Sequence, residues 1–239
     1  MDQTLLDKLY GGFLGMNVGI RLGAPVEPAI WTVERIARTY GDIRGYVKKY
    51  KHFAADDDAN GPVFFLRALD DTNGEEPTPQ SVAEAYLNYA REGIGMFWWG
   101  GLGISTEHTA YLNLLNGIPA PQSGSIRQNG STIAEQIGGQ IFIDTWGLVA
   151  AGDAKRAARY ARAAASVSHD GEALNGAAFI AGCIAHAFVE NDIEKIMDAA
   201  LLNIPADSKY AAVVYAARAY RLNHPEDDWH GCRQMLEDE

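Results

Sequence analysis

The sequence predicts an all-α fold in a single domain, and three observations carry that prediction. Apolar residues recur at helical spacing along nearly the whole chain, capping residues stand where the runs begin, and strand-like alternation is scarce. With 239 residues, 47% hydrophobic and 21% charged, the composition is that of one compact domain, residues 1–239, without an internal repeat.

Each element has its own signal. Gly11, Gly15, Gly19 and Gly23 recur at every fourth position, which on a helix lays them along one face suited to close contact with a neighbouring helix. Thr32 is placed to cap a short helix with Val33, Ile36, Ala37 and Tyr40 inward and Gly41 as its stop. Pro62 suits the first turn of a helix continuing through "VFFLRAL". Ser81 or Gln80 opens "VAEAYLNYAR", which Gly93 ends. From Gly93 to Gly139, frequent glycines, the run "MFWWGG", Pro119 and Pro121 break the helical spacing and predict functional loops and short helices. "GGQIFIDTW" is the best strand candidate, equally readable as the start of a buried helix. Asp153 then caps the alanine-rich "AKRAARYARAAASV", and helices follow over about 174–189, from Asp192, and over about 208–222.

The totals set aside several function classes. No apolar run is long enough to span a membrane, and the start "MDQTLLDKLYGGFLG" lacks the pattern of a signal peptide. Cys183 and Cys232 have no C-x-x-C spacing and read as reduced thiols, so a cytoplasmic location is expected. A net charge of −11, from 20 basic and 31 acidic residues, argues against a nucleic-acid partner held by electrostatics. An acidic chain that binds an anionic small molecule needs local help from metal ions, helix N-termini or backbone amides.

The densest acidic feature is "FAADDDANGP", with Asp56, Asp57 and Asp58 side by side. Consecutive residues on a helix diverge by about 100°, so three adjacent carboxylates cannot share one helical face. In a loop leading into a helix they can surround a point, the all-oxygen environment that hard divalent cations take. Three like charges in contact raise one another's pKa values, a cost that a bound cation removes. The spacing alone favours the plainer reading, a solvated acidic turn where the helix dipole already welcomes negative charge. Glu27, Glu107, His108, Asp144, His169 and Asp170 also stand out as polar residues in apolar or glycine-rich surroundings. Singly, each reads as a turn, a cap or a buried structural group.

Four segments in order, "GGFLGMNVGIRLGAPVE", "DDDA", "QIGGQIFIDTWGLVAAGD" and "AAASVSHDG", resemble the ADP-ribosylglycohydrolase family over most of the chain. This is the group of dinitrogenase-reductase-activating glycohydrolases and ADP-ribosyl hydrolases. Its motifs are G-x-x-x-G-x-x-x-G-D-x-x-G-x-P-x-E, T-D-D-T, a glycine-rich stretch, and an alanine-rich helix ending in T-H or S-H. The resemblance implies a single-domain orthogonal helical bundle of the ADP-ribosylglycohydrolase type. It also implies a hydrolase that holds two Mg²⁺ ions and cleaves the C1″ glycosidic bond of an ADP-ribosyl conjugate or related nucleoside-type substrate. By motif position, Asp56, Asp57 and Asp58 would ligate metal, and Glu27 and Asp57 would be catalytic. Gly100, Gly101, Gly103, Gly138 and Gly139 would offer backbone amides to the diphosphate, with Asp144 and His169 beside the substrate.

The chain departs from the family pattern at named places. Arg21 stands where relatives carry the Asp of "GD", Asp56 where Thr or Ser is common, and Ala59 where Thr or Ser follows the aspartates. The closing "HPEDDWHGCRQMLEDE" has no D-T-D segment, which in the family supplies the second half of the metal site. Asp227 and Asp228 read instead as a helix start before Trp229. The expectation is therefore a domain incomplete at its C-terminus, with exposed apolar surface that favours self-association. ADP-ribose or an ADP-ribosylated target is the expected partner, with no membrane involved. The alternative is a catalytically silent ADP-ribose-binding or protein-interaction module, or a fragment of a longer enzyme. Metal-dependent turnover separates the enzyme from the binding module.

Overall fold

A computed structural model describes residues 2–27, 30–49, 57–91 and 100–238, and among these every regular element is helical. The chain opens with α1 (Gln3–Gly23), a 3-10 turn (Ala24–Val26), α2 (Val33–Tyr40), α3 (Asp57–Phe65), α4 (Arg67–Asp71) and α5 (Pro79–Tyr89), and a second 3-10 turn (Gln122–Gly124) lies further along. A middle stretch of mostly short helices holds α6 (Thr106–Leu115), α7 (Ile126–Asn129), α8 (Ser131–Ala134), α9 (Gly138–Ile141) and α10 (Asp144–Val149). The remainder is α11 (Ala154–Ala165), α12 (Glu172–His186), α13 (Ile193–Leu201), α14 (Lys209–Asn223) and α15 (Trp229–Asp238).

The two expected caps form: Thr32 accepts from Arg35 N at 3.2 Å and Asp153 from Arg156 N at 2.9 Å. Asp192 and Ser208, at the starts of α13 and α14, also cap them, accepting from Glu194 N at 3.0 Å and from Ala211 N at 3.1 Å. Three readings are corrected. Helix α5 starts earlier, because Thr78 and Ser81 form a reciprocal capping box with Pro79 at the first helical position, and it ends at Tyr89. Gly93, the expected stop, lies outside the described residues. Pro62 is inside α3 rather than in its first turn, and the helix breaks soon after, at Leu66, before α4 begins. "GGQIFIDTW" forms no strand: it is two short helices, α9 and α10, whose apolar run is buried from several sides at once.

Small side chains let the central helices close on one another. Ala157, Ala161, Ala164 and Ala165 of α11 share the core with Ala177, Ala181 and Ala185 of α12. Around them lie fully enclosed Trp146 and Ile143 and a parallel stack of Phe65 on Tyr86, with ring centroids 4.8 Å apart. Helix α1, by contrast, buries none of its residues, and Leu6, Tyr10, Phe13, Leu14 and Val18 along it are exposed.

Carboxylates from one segment cap helices of another. Glu135 Oε1 accepts from Glu172 N at 2.9 Å, and Asp170 Oδ2 from Ile126 N at 3.0 Å. Glu172 in turn accepts the first two N–H groups of α14, from Lys209 and Tyr210, each at 3.1 Å. Burial pushes the Glu172 carboxyl up, but hydrogen bonds from Asn175, Tyr210 and Lys209 outweigh it and hold the carboxyl below its usual range. That stability is present above the unfolded carboxyl's pKa and is lost as pH falls through the folded value. Glu172→Ala is expected to cost about 1 kcal/mol at pH 7. Denaturant titrations at pH 7 and pH 3 check this, and the gap between the two proteins should close at the lower pH.

Candidate active site

The site is built around the first turn of α3. Asp57 and Asp58 are its first two residues, both half-buried, and as consecutive helical positions their side chains diverge by about 100°. Asp56 lies outside the described residues.

Asp58 lines a hollow of about 530 Å³ together with Gly15, Gly19, Gln140, Asp144 and Tyr210. The glycine face of α1 is used here in a way its spacing did not predict. A Cβ built at Gly11, Gly15, Gly19 or Gly23 would meet nothing within 4 Å among the described residues, so these glycines mediate no close contact with a described helix. The close approach is at Gly12, where a Cβ would stand 2.9 Å from Leu148 Cδ2, while bare Gly15 and Gly19 leave the hollow open. Across it, Asp144 opens α10, and burial pushes its carboxyl up to about 6. Thr145 Oγ1 donates to Pro62 O at 2.8 Å and so ties α10 to α3. Tyr210 OH donates to Gln140 Oε1 at 2.8 Å on the same wall.

The second neighbourhood is a buried polar chain. Tyr86 OH donates to Ser168 Oγ at 3.2 Å, and Ser168 Oγ is 2.8 Å from His169 Nδ1. His169 Nε2 is 3.4 Å from Glu107 Oε1, and Ser105 Oγ donates to Glu107 Oε2 at 3.1 Å. Distance alone would make His169 and Glu107 an ion pair. Burial instead pushes the imidazole down to about 3, so it is neutral at physiological pH. Burial raises Glu107 to about 7, against the lowering effect of its own backbone N–H and the Ser105 hydroxyl, and the negative field of Asp57 adds to the rise. Gly138, at the start of α9, closes over the pair: a Cβ there would stand 2.0 Å from Glu107 Oε1 and 2.9 Å from His169 Nε2.

The other sequence-derived candidates fall as follows. Glu27 is exposed and directly follows the 3-10 turn. Gly100, Gly101 and Gly103 have φ values of 118°, 131° and 72° in the loop that leads into α6. Gly103 N donates to Thr109 Oγ1 at 2.8 Å, and Gly101 O accepts from Ile104 N and Ser105 N. Gly138 and Gly139 are buried, and a Cβ at Gly139 would stand 2.7 Å from Ala173 Cβ. His169 is 2% exposed, beneath α9 rather than at a surface. The structure thus brings Asp58 and Asp144 to one hollow, and sets Glu107 beside His169 and Gly138. Glu107 stood out in the sequence without a role. Its signal was local: an acid within "STEHTAYL", where Ser105 caps the helix and the six residues from Thr106 to Tyr111 are all buried.

A sequence model of the ADP-ribosylglycohydrolase family matches residues 1–237, and the chain belongs to that family, whose members hydrolyse glycosidic bonds. Comparison with curated proteins and with solved structures finds no match. Among the described residues no helix is long and apolar enough to cross a membrane, and no three His, Cys, Asp or Glu side chains stand where they could jointly hold a metal ion.

Proposed function

We propose that this chain is a Mg²⁺-dependent hydrolase that cleaves the C1″ glycosidic bond of an ADP-ribosyl conjugate or a related nucleoside-type substrate. The observation that supports it best is the pair of carboxylates that opens α3, Asp57 and Asp58, with Asp58 lining a hollow shared with Asp144.

The donors suit a hard cation, since Asp57, Asp58 and the nearby Asp144 offer only carboxylate oxygen. Asp56, Asp57 and Asp58 are the residues that would hold Mg²⁺. The ion supplies orientation of the ribose hydroxyls and activation of a water. Asp144, with its carboxyl near 6, takes up or releases a proton close to neutral pH and can bond a ribose hydroxyl in either state. Glu27, exposed beside the end of α1, acts as general base or stabilises positive charge developing at the ribose. The positive-φ loop at Gly100 and Gly101 meets the diphosphate with backbone N–H groups. Gly138 and Gly139 contribute by letting α9 close down on Glu107 and α12.

Thermal unfolding with Mg²⁺, with ADP-ribose, with both and with neither tests this reading. A ligand that binds only the folded state raises stability by about 2.7 kcal/mol at a hundredfold excess over its Kd. The expected result is a shift with ADP-ribose that requires Mg²⁺ and disappears in Asp57→Ala, whose helical circular dichroism stays unchanged. A retained Mg²⁺-dependent shift in that variant would remove the aspartates from the site.

A further inference from the structure

Four polar side chains line the hollow beside α3: Asp58, Asp144, Gln140 and Tyr210. The rest of its wall is glycine, isoleucine and methionine. Their hydrogen-bonding capacities are unequal. An ionised carboxylate only accepts, so Asp58 and Asp144 offer a ligand no proton when charged. Tyr210 has one proton and gives it to Gln140 Oε1 at 2.8 Å. Gln140 Nε2 carries two N–H groups and has no protein partner among the described residues, so it is the side-chain donor that this wall offers to a ligand.

Three helices hold the amide. Gln140 is on α9, and Tyr210 is at the start of α14, where its N–H donates to Glu172 Oε2 at 3.1 Å. The Tyr210 ring packs against Phe179 of α12, with centroids 5.6 Å apart. Buried Gly176 of α12 lies against both partners: a Cβ there would stand 3.0 Å from Tyr210 Cε2 and 3.2 Å from Gln140 Oε1. Burial pushes the Tyr210 hydroxyl up to about 12, so it keeps its proton and stays a donor at neutral pH. Turning the amide end for end would take away that proton's acceptor. A side chain already fixed in this way loses little further freedom when a ligand arrives.

A wall with two acceptors and one oriented donor suits a group that both gives and takes a hydrogen bond. A sugar hydroxyl does both, whereas a C–H in its place leaves the amide or a carboxylate unpaired. Bare Gly15 and Gly19 on the α1 side leave room for a ring.

We propose that Gln140 is a specificity-determining residue of this hollow, donating from Nε2 to a hydroxyl oxygen of the terminal ribose and so selecting ribosyl over deoxyribosyl ligands. The proposal rests on the glycohydrolase reading of the site, and it extends that site to the wall formed by α9, α12 and α14.

The test compares the full chain with Gln140→Met, which keeps the length and removes the donors, and with Gln140→Glu, which keeps an acceptor for Tyr210 and presents no N–H. Melting temperature is read first. Calorimetry with Mg²⁺ present then gives the affinity of each protein for ADP-ribose and for its 2″-deoxy and 3″-deoxy analogues. Gln140→Met is expected to fold and to bind ADP-ribose about tenfold more weakly than the parent. For one of the two analogues the same substitution is expected to change affinity by less than about twofold, because the hydroxyl that Gln140 meets is already gone. Gln140→Glu is expected to lose at least as much as Gln140→Met. Parental affinity for ADP-ribose in Gln140→Met, or an equal loss for ADP-ribose and both analogues, would overturn the proposal. If Gln140→Met does not fold, a folded Gln140→Glu with parental affinity overturns it equally. A parent that binds ADP-ribose but releases it from no conjugate fails the hydrolase reading, while the analogue comparison still decides the role of Gln140. A parent that binds none of the three ligands overturns both.

Discussion

Gly124→Ala is expected to be among the most destabilising single-methyl changes this chain can take. A Cβ at Gly124 would stand 2.3 Å from the Ser168 carbonyl carbon and 2.6 Å from His169 N, so the obstacle is backbone rather than the yielding end of a side chain. Neither side can retreat. Ser123 Oγ donates to Val167 O at 2.6 Å and fastens the two segments together, and Ser123, Val167, Ser168 and His169 are all buried. Overpacking a filled interior costs about 1–3 kcal/mol and more where no rotamer relieves it, so a loss of about 3 kcal/mol is expected. For a chain of this size that is a fall in melting temperature on the order of 10 °C. The contrast is Gly15→Ala, which meets nothing within 4 Å among the described residues and is expected to leave the melting temperature unchanged or slightly raised. Thermal denaturation of the two variants beside the parent reads both.

The second large effect is a dependence of stability on pH that Glu107→Gln should remove. Burial raises the Glu107 carboxyl from 4.5 to about 7 in the folded protein. Between those values the unfolded chain has released the proton and the folded chain retains it, so stability falls as pH rises from about 4.5 through 7. A shift of this size corresponds to about 3 kcal/mol. Glutamine carries no such proton. In metal-free protein, the stability of Glu107→Gln relative to the parent is therefore expected to grow by about 3 kcal/mol between pH 4 and pH 8. His169 acts in the opposite sense, since its depressed pKa withdraws stability as pH falls from 6.5 toward 3, but it is present in both proteins and drops out of the difference. Denaturant titrations across that range give the comparison.

The helices were legible because their signals are local. Thr32, Asp153, Asp192 and Ser208 each bond a backbone N–H within three residues, and such a pattern needs no knowledge of the tertiary fold. The errors arose where a residue's role depends on what packs against it. The glycines of α1 have the spacing of a helix-contact face, yet what faces Gly15 and Gly19 is a hollow, because the opposing wall of Asp58, Asp144 and Tyr210 stands back. "GGQIFIDTW" was ambiguous in sequence because a short, mostly buried apolar run has neither a strand's alternation nor a helix's stripe. Of the site, the aspartate triplet and the S-H turn were visible as motifs. The link from His169 to Glu107 was not, since it joins α6 to the start of α12 and is completed by Gly138 from a third segment.

Release of free ADP-ribose by the full chain is the measurement that bears most directly on the central claim. Arginine-linked, serine-linked and nucleoside-type conjugates would be offered in turn, with Mg²⁺ and with a chelator. A hydrolase built on the α3 aspartates releases ADP-ribose from at least one of them with Mg²⁺, stops when the metal is chelated, and loses the activity in Asp58→Asn while remaining folded. Release that is unchanged by chelation and by Asp58→Asn, or no release from any conjugate by a folded chain, would contradict it.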